Sequence, residues 1–363
     1  MPIGPAPGSS IRIFQATGPT MPREAFKRNL SHLRLEVNEG RGFEVYAGRT
    51  GQADRQLLCR YNAATDHLPR DESPKPCFHP VYTPSGGLIS EYRPEDHTWH
   101  LGLYFGWVHV NDTNFWGGSW YLPEHGKYVP VPGSHGVQRH DEFTEVSNLE
   151  SGVAVGERLT WLDRNGRPVI QEARRFDFLE TAAVSEGGQA GQANQGGQDD
   201  QGGQAGQTDQ DVLGGRCLWL INSVITPVEG EVTLGASRAA RYSGLILRMG
   251  PPFSDAHHTS GSGLGGHEAI MRTRDRWVAA AGALGGMVVM MDHPRNLRHP
   301  VQWFTRRNLL GTGPLMEEDL TIPASDRLHL RYGFLVLDEA AGEEEIEELY
   351  RYYVSAADER SPT

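Results

Sequence analysis

The stretch EYRPEDHTWHLGLYFGW at residues 91–107 sets His97 and His100 three apart, behind Arg93 and Asp96, where a polar segment turns apolar. Three kinds of chemistry use such a pair. Metal binding needs neutral imidazoles converging on one ion, with a carboxylate or a third histidine completing the shell. In a strand, residues three apart point to opposite faces, so His97 and His100 share an ion only if His97 still lies in the preceding loop. DHTWH is not the HExxH motif. A metal set would draw on His97, His100 and His140, and the second candidate is His140 with Glu142, which share a strand face at i, i+2. Acid/base catalysis asks less: one or two groups titrating near neutrality, which a histidine beside a carboxylate supplies. Asp96, His97, His100, His135, His140 and Glu142 provide an acid and a base. The third use is structural, with histidines capping strand ends and satisfying loop carbonyls.

Density separates these readings. His79, His97, His100, His109, His135 and His140 fall between residues 78 and 143, in FHPVYTPSGG, the stretch above, NDTNFWGGSWY and HGVQRHDEF. So many ionisable groups among tryptophans and glycines are what a ligand pocket requires. Trp99, Trp107, Trp116 and Trp120 lie in the same window with Tyr82, Tyr104 and Tyr121. Core packing is their default use, but a few could form a platform for the apolar face of a sugar ring. A second polar segment, DHPRNLRHPVQWFTR, occupies residues 292–306. The expected site is therefore one cleft. His79, Tyr82, Arg93, Trp116, His135 and Arg139 would bind substrate there, joined by His293, Asn296, His299, Trp303 and Arg306 from the later segment. Arg93 and Arg306 would clamp an oxygen-rich or anionic group. His100, which begins the strand, and His140 are the expected acid/base pair, and His97, in the loop before the strand, is the orienting or structural partner. GSGLGG at residues 261–266 matches GxGxxG in form, but it follows a polar loop and no βαβ unit surrounds it.

The elements that must position these residues are strands. In LRLEVNEGRGFEVYAG, Leu33, Leu35 and Val37 alternate, residues 38–42 turn, and Phe43, Val45 and Ala47 resume, which predicts a hairpin. Similar runs recur in QLLCRYN, GVAVGERLTWLD, CLWLINSVITP, YSGLILRM and LHLRYGFLVLD without interleaved helices. That pattern predicts a mostly β protein, a large antiparallel β-sandwich rather than a parallel α/β sheet. EEEIEELYRYYVSAADE is the exception: Ile346, Leu349, Tyr350 and Tyr353 make one helical stripe, with acids at the N-terminal end. Residues 1–25 are expected to be a loose leader and residues 26–358 a single sandwich domain. A Gly/Gln-rich insert at 184–211, too polar to bury itself, is expected to interrupt it as a disordered loop. A linker between two domains is the alternative.

Charge narrows the partners. The chain has 363 residues, with 46 acidic against 34 basic side chains and a formal net charge of −12. Nucleic acid and anionic membrane surfaces reward clustered Lys and Arg, so neither is an expected partner. No apolar run approaches the ~20 residues needed to cross a bilayer, and MPIGPAPGSSIRIFQ lacks the pattern of a secretory signal. Cys59, Cys77 and Cys217 form neither a disulfide framework nor a zinc pattern. The expected location is cytoplasmic, with a small molecule as partner and no cofactor.

The order HPVYTPSG, RPEDHTWHLGLYFGW, NFWGG, HGVQRHDEF and DHPRNLRHPVQWFTR resembles the bacterial PmoA-like family, a group of unknown function common in actinobacteria. The resemblance spans about residues 30–355 apart from the insert. It implies a soluble β-rich protein similar to the supersandwiches of sugar mutarotases, which use a histidine acid and a carboxylate base on a bound sugar. It also implies a link to sugar-oxidising dehydrogenases. The family's name would imply instead an oxygenase using Fe or Cu. Three classes thus stand open beside the leading one, a carbohydrate- or polyol-active acid/base enzyme: a sugar-binding module, a metal-dependent oxygenase, and an assembly protein with no ligand.

Overall fold

The computed structural model describes residues 33–48, 55–181 and 216–360. The expected leader (1–25) and the Gly/Gln insert (184–211) lie outside them. All the described residues fall in one unit of the chain, Ser31–Thr363. Two large antiparallel sheets face each other. The main path of the first, 11-stranded sheet runs from the hairpin Leu33–Asn38 and Gly42–Ala47 through Gln56–Asn62 and Cys77–Val81 to Leu103–Val110. It continues through Gly244–Arg248 and Leu309–Thr312 to Trp303–Arg306. The second, 8-stranded sheet has the long strands Leu328–Leu337, Arg216–Pro227, Pro168–Thr181, Gly152–Leu162 and Val137–Leu149 side by side. Pairings are antiparallel, as alternating strands joined by short turns require. The expected hairpin pairs Leu33 with Ala47, Leu35 with Val45 and Val37 with Phe43. The strands flanking the insert also pair with each other, from Thr181 opposite Arg216 to Ile170 opposite Pro227.

Period-two alternation sorts side chains into three apolar layers. On Leu103–Val110, Leu103, Phe105 and Trp107 enter the core between the sheets, while Tyr104 and Val108 join a cluster on the outer face of the first sheet. On Arg216–Pro227, Trp219 and Ile221 face the same core, while Leu218 and Leu220 face outward beneath a helix. That helix, Glu343–Glu359, buries Ile346, Leu349, Tyr350 and Tyr353, the stripe read from the sequence, and keeps Glu343, Glu344 and Glu345 in its first turn. Gly333 gives it a seat, since a Cβ there would lie 2.9 Å from the Tyr353 ring. The part of the second sheet beneath the helix is thus covered on both faces, which is why a strand such as Met287–Asp292 reads as a nearly continuous apolar run, while the edge strand Val137–Leu149 stays largely polar. No helix among the described residues is long and apolar enough to cross a membrane.

Tyr353 is fully buried and its neighbour Tyr352 is 42% exposed. Truncating a buried aromatic costs about 3–5 kcal/mol, whereas an exposed one costs under about 0.5 kcal/mol. Tyr353→Ala is therefore expected to lower the urea midpoint sharply and Tyr352→Ala to leave it almost unchanged. Equal effects would contradict the helix packing described.

Candidate functional site

The outer face of the first sheet carries a half-open cavity of about 510 Å³. Trp99, Trp116, Tyr242 and Phe304 form its aromatic walls, and His97, His100, Arg248, Arg306 and Asn308 supply its polar groups. Loops build the mouth and the sheet supplies the floor. Tyr104, Ile246, Phe304 and Leu309 are the outward positions of four neighbouring strands.

His97 sits in the loop and His100 enters the sheet, as strand geometry requires. The His97 amide donates to the Pro94 carbonyl and the His100 amide to the His97 carbonyl, at 3.0 and 2.9 Å. This tight turn brings the two imidazoles face to face, 4.8 Å apart and 27° from parallel. His97 Nδ1 lies 2.9 Å from Asp96 Oδ2, whose other oxygen is 3.5 Å from Arg248 Nη2. His100 is buried, with its ring edge-on to Trp116 at 5.9 Å, and its Nδ1 has no hydrogen-bond partner among the described residues. Burial first, then the positive field of His97, Arg248 and Lys75, pushes its pKa well below the usual 6.5. His100 is accordingly a neutral imidazole at pH 7. The Asp96 carboxyl is lowered: burial opposes ionisation there, but His97 and Arg248 outweigh it.

A buried lysine ties the loops around this pair. Lys75 Nζ donates to the carbonyls of Glu72, Ser73 and Trp116 at 3.1, 3.0 and 2.8 Å, and lies 5.0 Å from the Tyr104 ring centre. Burial pulls its pKa down to about 7, while Cys77 and Glu72 act in the opposite direction. The Asn114 side-chain oxygen accepts from the Trp116 and Gly117 amides, and Ser73 Oγ donates to the Asn114 carbonyl. NFWGG needs its last glycine because Gly118 has φ +68° and a Cβ there would lie 2.6 Å from the Trp99 indole.

The expected site residues divide among three places. Asp96, His97, His100, Trp116 and Arg306 stand at or beside the cavity. His79, Arg93, His135 and Tyr82 buttress this end of the sheet. His79 shares a 2.9 Å hydrogen bond with Ser90 Oγ and stacks on Tyr92, and His135 Nε2 donates to the Gly118 carbonyl at 2.8 Å. Arg93, the expected clamp, spends its guanidinium on Glu72 in two hydrogen bonds of 2.9 and 2.7 Å. Tyr82 pairs by its backbone with Leu88.

The structure does not bring His140 to His100. His140 Nδ1 lies 2.6 Å from Glu157 Oε1, and Glu157 accepts from Tyr61 in the core between the sheets, so the first sheet separates the two histidines. Nor do His140 and Glu142 share a face. The register opposes Leu159 to His140 but Arg158 to Glu142, a bulge at Asp141 that turns His140 inward and leaves Glu142 outside on Arg158. Arg139 pairs with Asp141 on the surface. In the later segment, Asp292 is the hub: it accepts from Asn296, from His299 Nδ1 at 2.7 Å and from the Val301 amide. His293 packs edge-on against Tyr353, and Trp303 Nε1 donates to the Asp275 carbonyl. Only Arg306 of that expected set lines the cavity.

Sequence reasoning missed Arg248, Tyr242, Phe304, Asn308 and the supporting Lys75. A signal existed for Arg248, a charge ending the apolar run YSGLIL. Among the described residues no three His, Cys, Asp or Glu side chains are grouped so as to hold a metal ion. The set His97, His100 and His140 in particular is split by a sheet, so the residues do not fit the iron or copper centre that the resemblance would imply.

Below pH 6.5 an unfolded chain protonates histidines that the fold keeps neutral. His79, pushed to about 4 by burial and then by Arg60, and His100 both have folded pKa values below the unfolded one. Their contribution is fully present above pH 6.5 and is lost as pH falls toward 4. Urea unfolding at pH 5 is expected to show a lower midpoint than at pH 7, with a smaller drop in His79→Gln. An unchanged midpoint would contradict the neutral-histidine assignment.

Residues 50–189 and 205–351 match the model of a family of unknown function, DUF6807, and the chain belongs to that family. A comparison with curated proteins finds no match.

Proposed function

We propose that the outer-face cavity is the active site of an enzyme that performs acid/base chemistry on a carbohydrate or related polyol. One observation carries the reading: two stacked imidazoles in different environments stand in an aromatic-walled cavity with two guanidiniums. Aromatic faces suit the C–H face of a sugar ring, and Arg, Asn and His suit its hydroxyls. Groups whose surroundings push their proton affinities apart are how one site holds both an acid and a base. His97, oriented by Asp96, takes the proton from the substrate. His100, neutral and already desolvated, donates a hydrogen bond to the oxygen on which negative charge develops, and the His97 imidazolium returns the proton it took to the substrate. The resemblance of RPEDHTWHLGLYFGW and its companion motifs to the PmoA-like group, with its mutarotase-type sandwich and sugar-dehydrogenase neighbours, supports the same class.

His100 and His97 variants separate an enzyme from a binding module. With a substrate found by thermal-shift screening over sugars and polyols, His100→Ala and His97→Ala are each expected to lower kcat about 100-fold or more. Asp96→Asn is expected to lower kcat by less than His97→Ala, because it removes the carboxylate 2.9 Å from His97 Nδ1 and leaves the imidazole in place. Ligand binding that survives His100→Ala beside an unaltered rate, or no turnover in the wild type, would overturn the enzymatic reading in favour of the module.

A further inference from the structure

The cavity's charge is lopsided. No aspartate or glutamate lines it, although two arginines do. Arg248 is already committed, donating from Nε to Glu91 Oε2 at 2.9 Å with Nη2 3.5 Å from Asp96 Oδ1. Arg306 is different. Among the described residues its guanidinium makes one hydrogen bond, from Nη1 to the Thr305 carbonyl at 3.0 Å, and lies 4.9 Å from the centre of the Phe304 ring; no carboxylate pairs with it. In a protein of net charge −12 that is an unusual place to leave a cation unanswered. Stacking on Phe304 fixes the guanidinium plane and leaves its remaining N–H donors for a planar acceptor. The same cavity is lined by His100, which is buried and has a ring nitrogen without a partner among the described residues, so that part of the lining is desolvated before a ligand enters.

We infer that the substrate is an anionic sugar, a monocarboxylate of the aldonic or uronic acid class, with its carboxylate on Arg306 beside Asn308 and its carbon chain across Trp116 toward His100. This rests on the cavity being the substrate site, as proposed above. One uncompensated guanidinium matches one negative charge. A phosphate dianion would need a second free cation, and Arg248 is held by Glu91 and Asp96. A bidentate Arg–carboxylate pair is worth more than a neutral hydroxyl contact and weakens as salt screens it.

Calorimetric titration of the full chain tests this with D-glucuronate, D-galacturonate and D-gluconate against D-glucose, D-galactose and sorbitol, and with glucose 6-phosphate as the dianion. At least one acid is expected to bind ten times more tightly than its uncharged counterpart and than the phosphate, and to weaken as salt rises. Arg306 is exposed, so Arg306→Gln is expected to fold normally, to lose at least tenfold affinity for the acid, and to lose much less for the uncharged sugar; Arg306→Lys should retain part of the acid affinity. Equal or tighter binding of the uncharged sugar or the phosphate overturns the inference, as does acid affinity indifferent to Arg306→Gln. If such an uncharged sugar is turned over in a His100-dependent way, the acid/base reading stands without it. If no member of the three sets binds the wild type, both fall.

Discussion

Lys75 is enclosed by the protein, and its ammonium is shared among the carbonyls of Glu72, Ser73 and Trp116. These three carbonyls come from two loops that no strand pairing holds together. Each would be left without a donor if the ammonium were absent, at about 1–3 kcal/mol per buried group. A charge is expensive to bury, and a lysine with its three N–H donors matched to three oxygens is one of the few arrangements that offsets the cost. From this point the support spreads outward. Glu72 fixes Arg93, Ser73 fixes the Asn114 carbonyl, and Asn114 fixes the amides of Trp116 and Gly117. Ser73 and Arg93 themselves take positive φ, 54° and 50°, in the loops that frame the cavity. Such backbone persists only where its surroundings over-determine it, and it gathers at functional sites.

The consequence is an outer face that differs from the rest of the surface. Elsewhere on the sandwich many arginines meet carboxylates, as Arg175 meets Asp177 and Glu145 or Arg276 meets Glu347, and others, such as Arg70, are spent on backbone carbonyls. In the cavity stand a histidine pair and a guanidinium with no carboxylate partner among the described residues. His97 and His100 are held by one tight turn, so their separation is set by backbone and not by side-chain choice. Their difference comes from depth: one is 43% exposed at its side chain beside a carboxylate, the other enclosed by Trp116 and Tyr104. A short piece of sequence thereby yields two imidazoles of unlike character at one point.

The fold was largely legible because its information is local. Alternation at Leu33–Val37 and Phe43–Ala47 and the stripe from Ile346 to Tyr353 report which face is buried wherever the chain ends up. The site was legible in part. DHTWH keeps its histidines together through a turn written in the sequence, and Trp116 and its glycines lie near in the chain. His140 and Glu142 do not share a face because one extra residue, Asp141, shifts the register between them, and a bulge leaves no signature in residue type. The 292–306 segment looked like ligand chemistry because a carboxylate hub and a binding site use the same residues; Asp292 consumes the donors internally. Arg248 and Lys75 depend on which strands and loops become neighbours, and that is decided by contacts far apart in sequence.

The claim that the Lys75 cradle holds the cavity's loops is most directly tested by amide hydrogen exchange in Lys75→Met, which keeps the side chain's length and removes its donors. In that variant the amides of Arg93, His100, Trp116, Gly117 and Gly118 are expected to lose most of their protection, while those of the paired strands Arg216–Pro227 and Leu328–Leu337 keep theirs. Protection unchanged at the loops, or lost equally in both sheets, would contradict it.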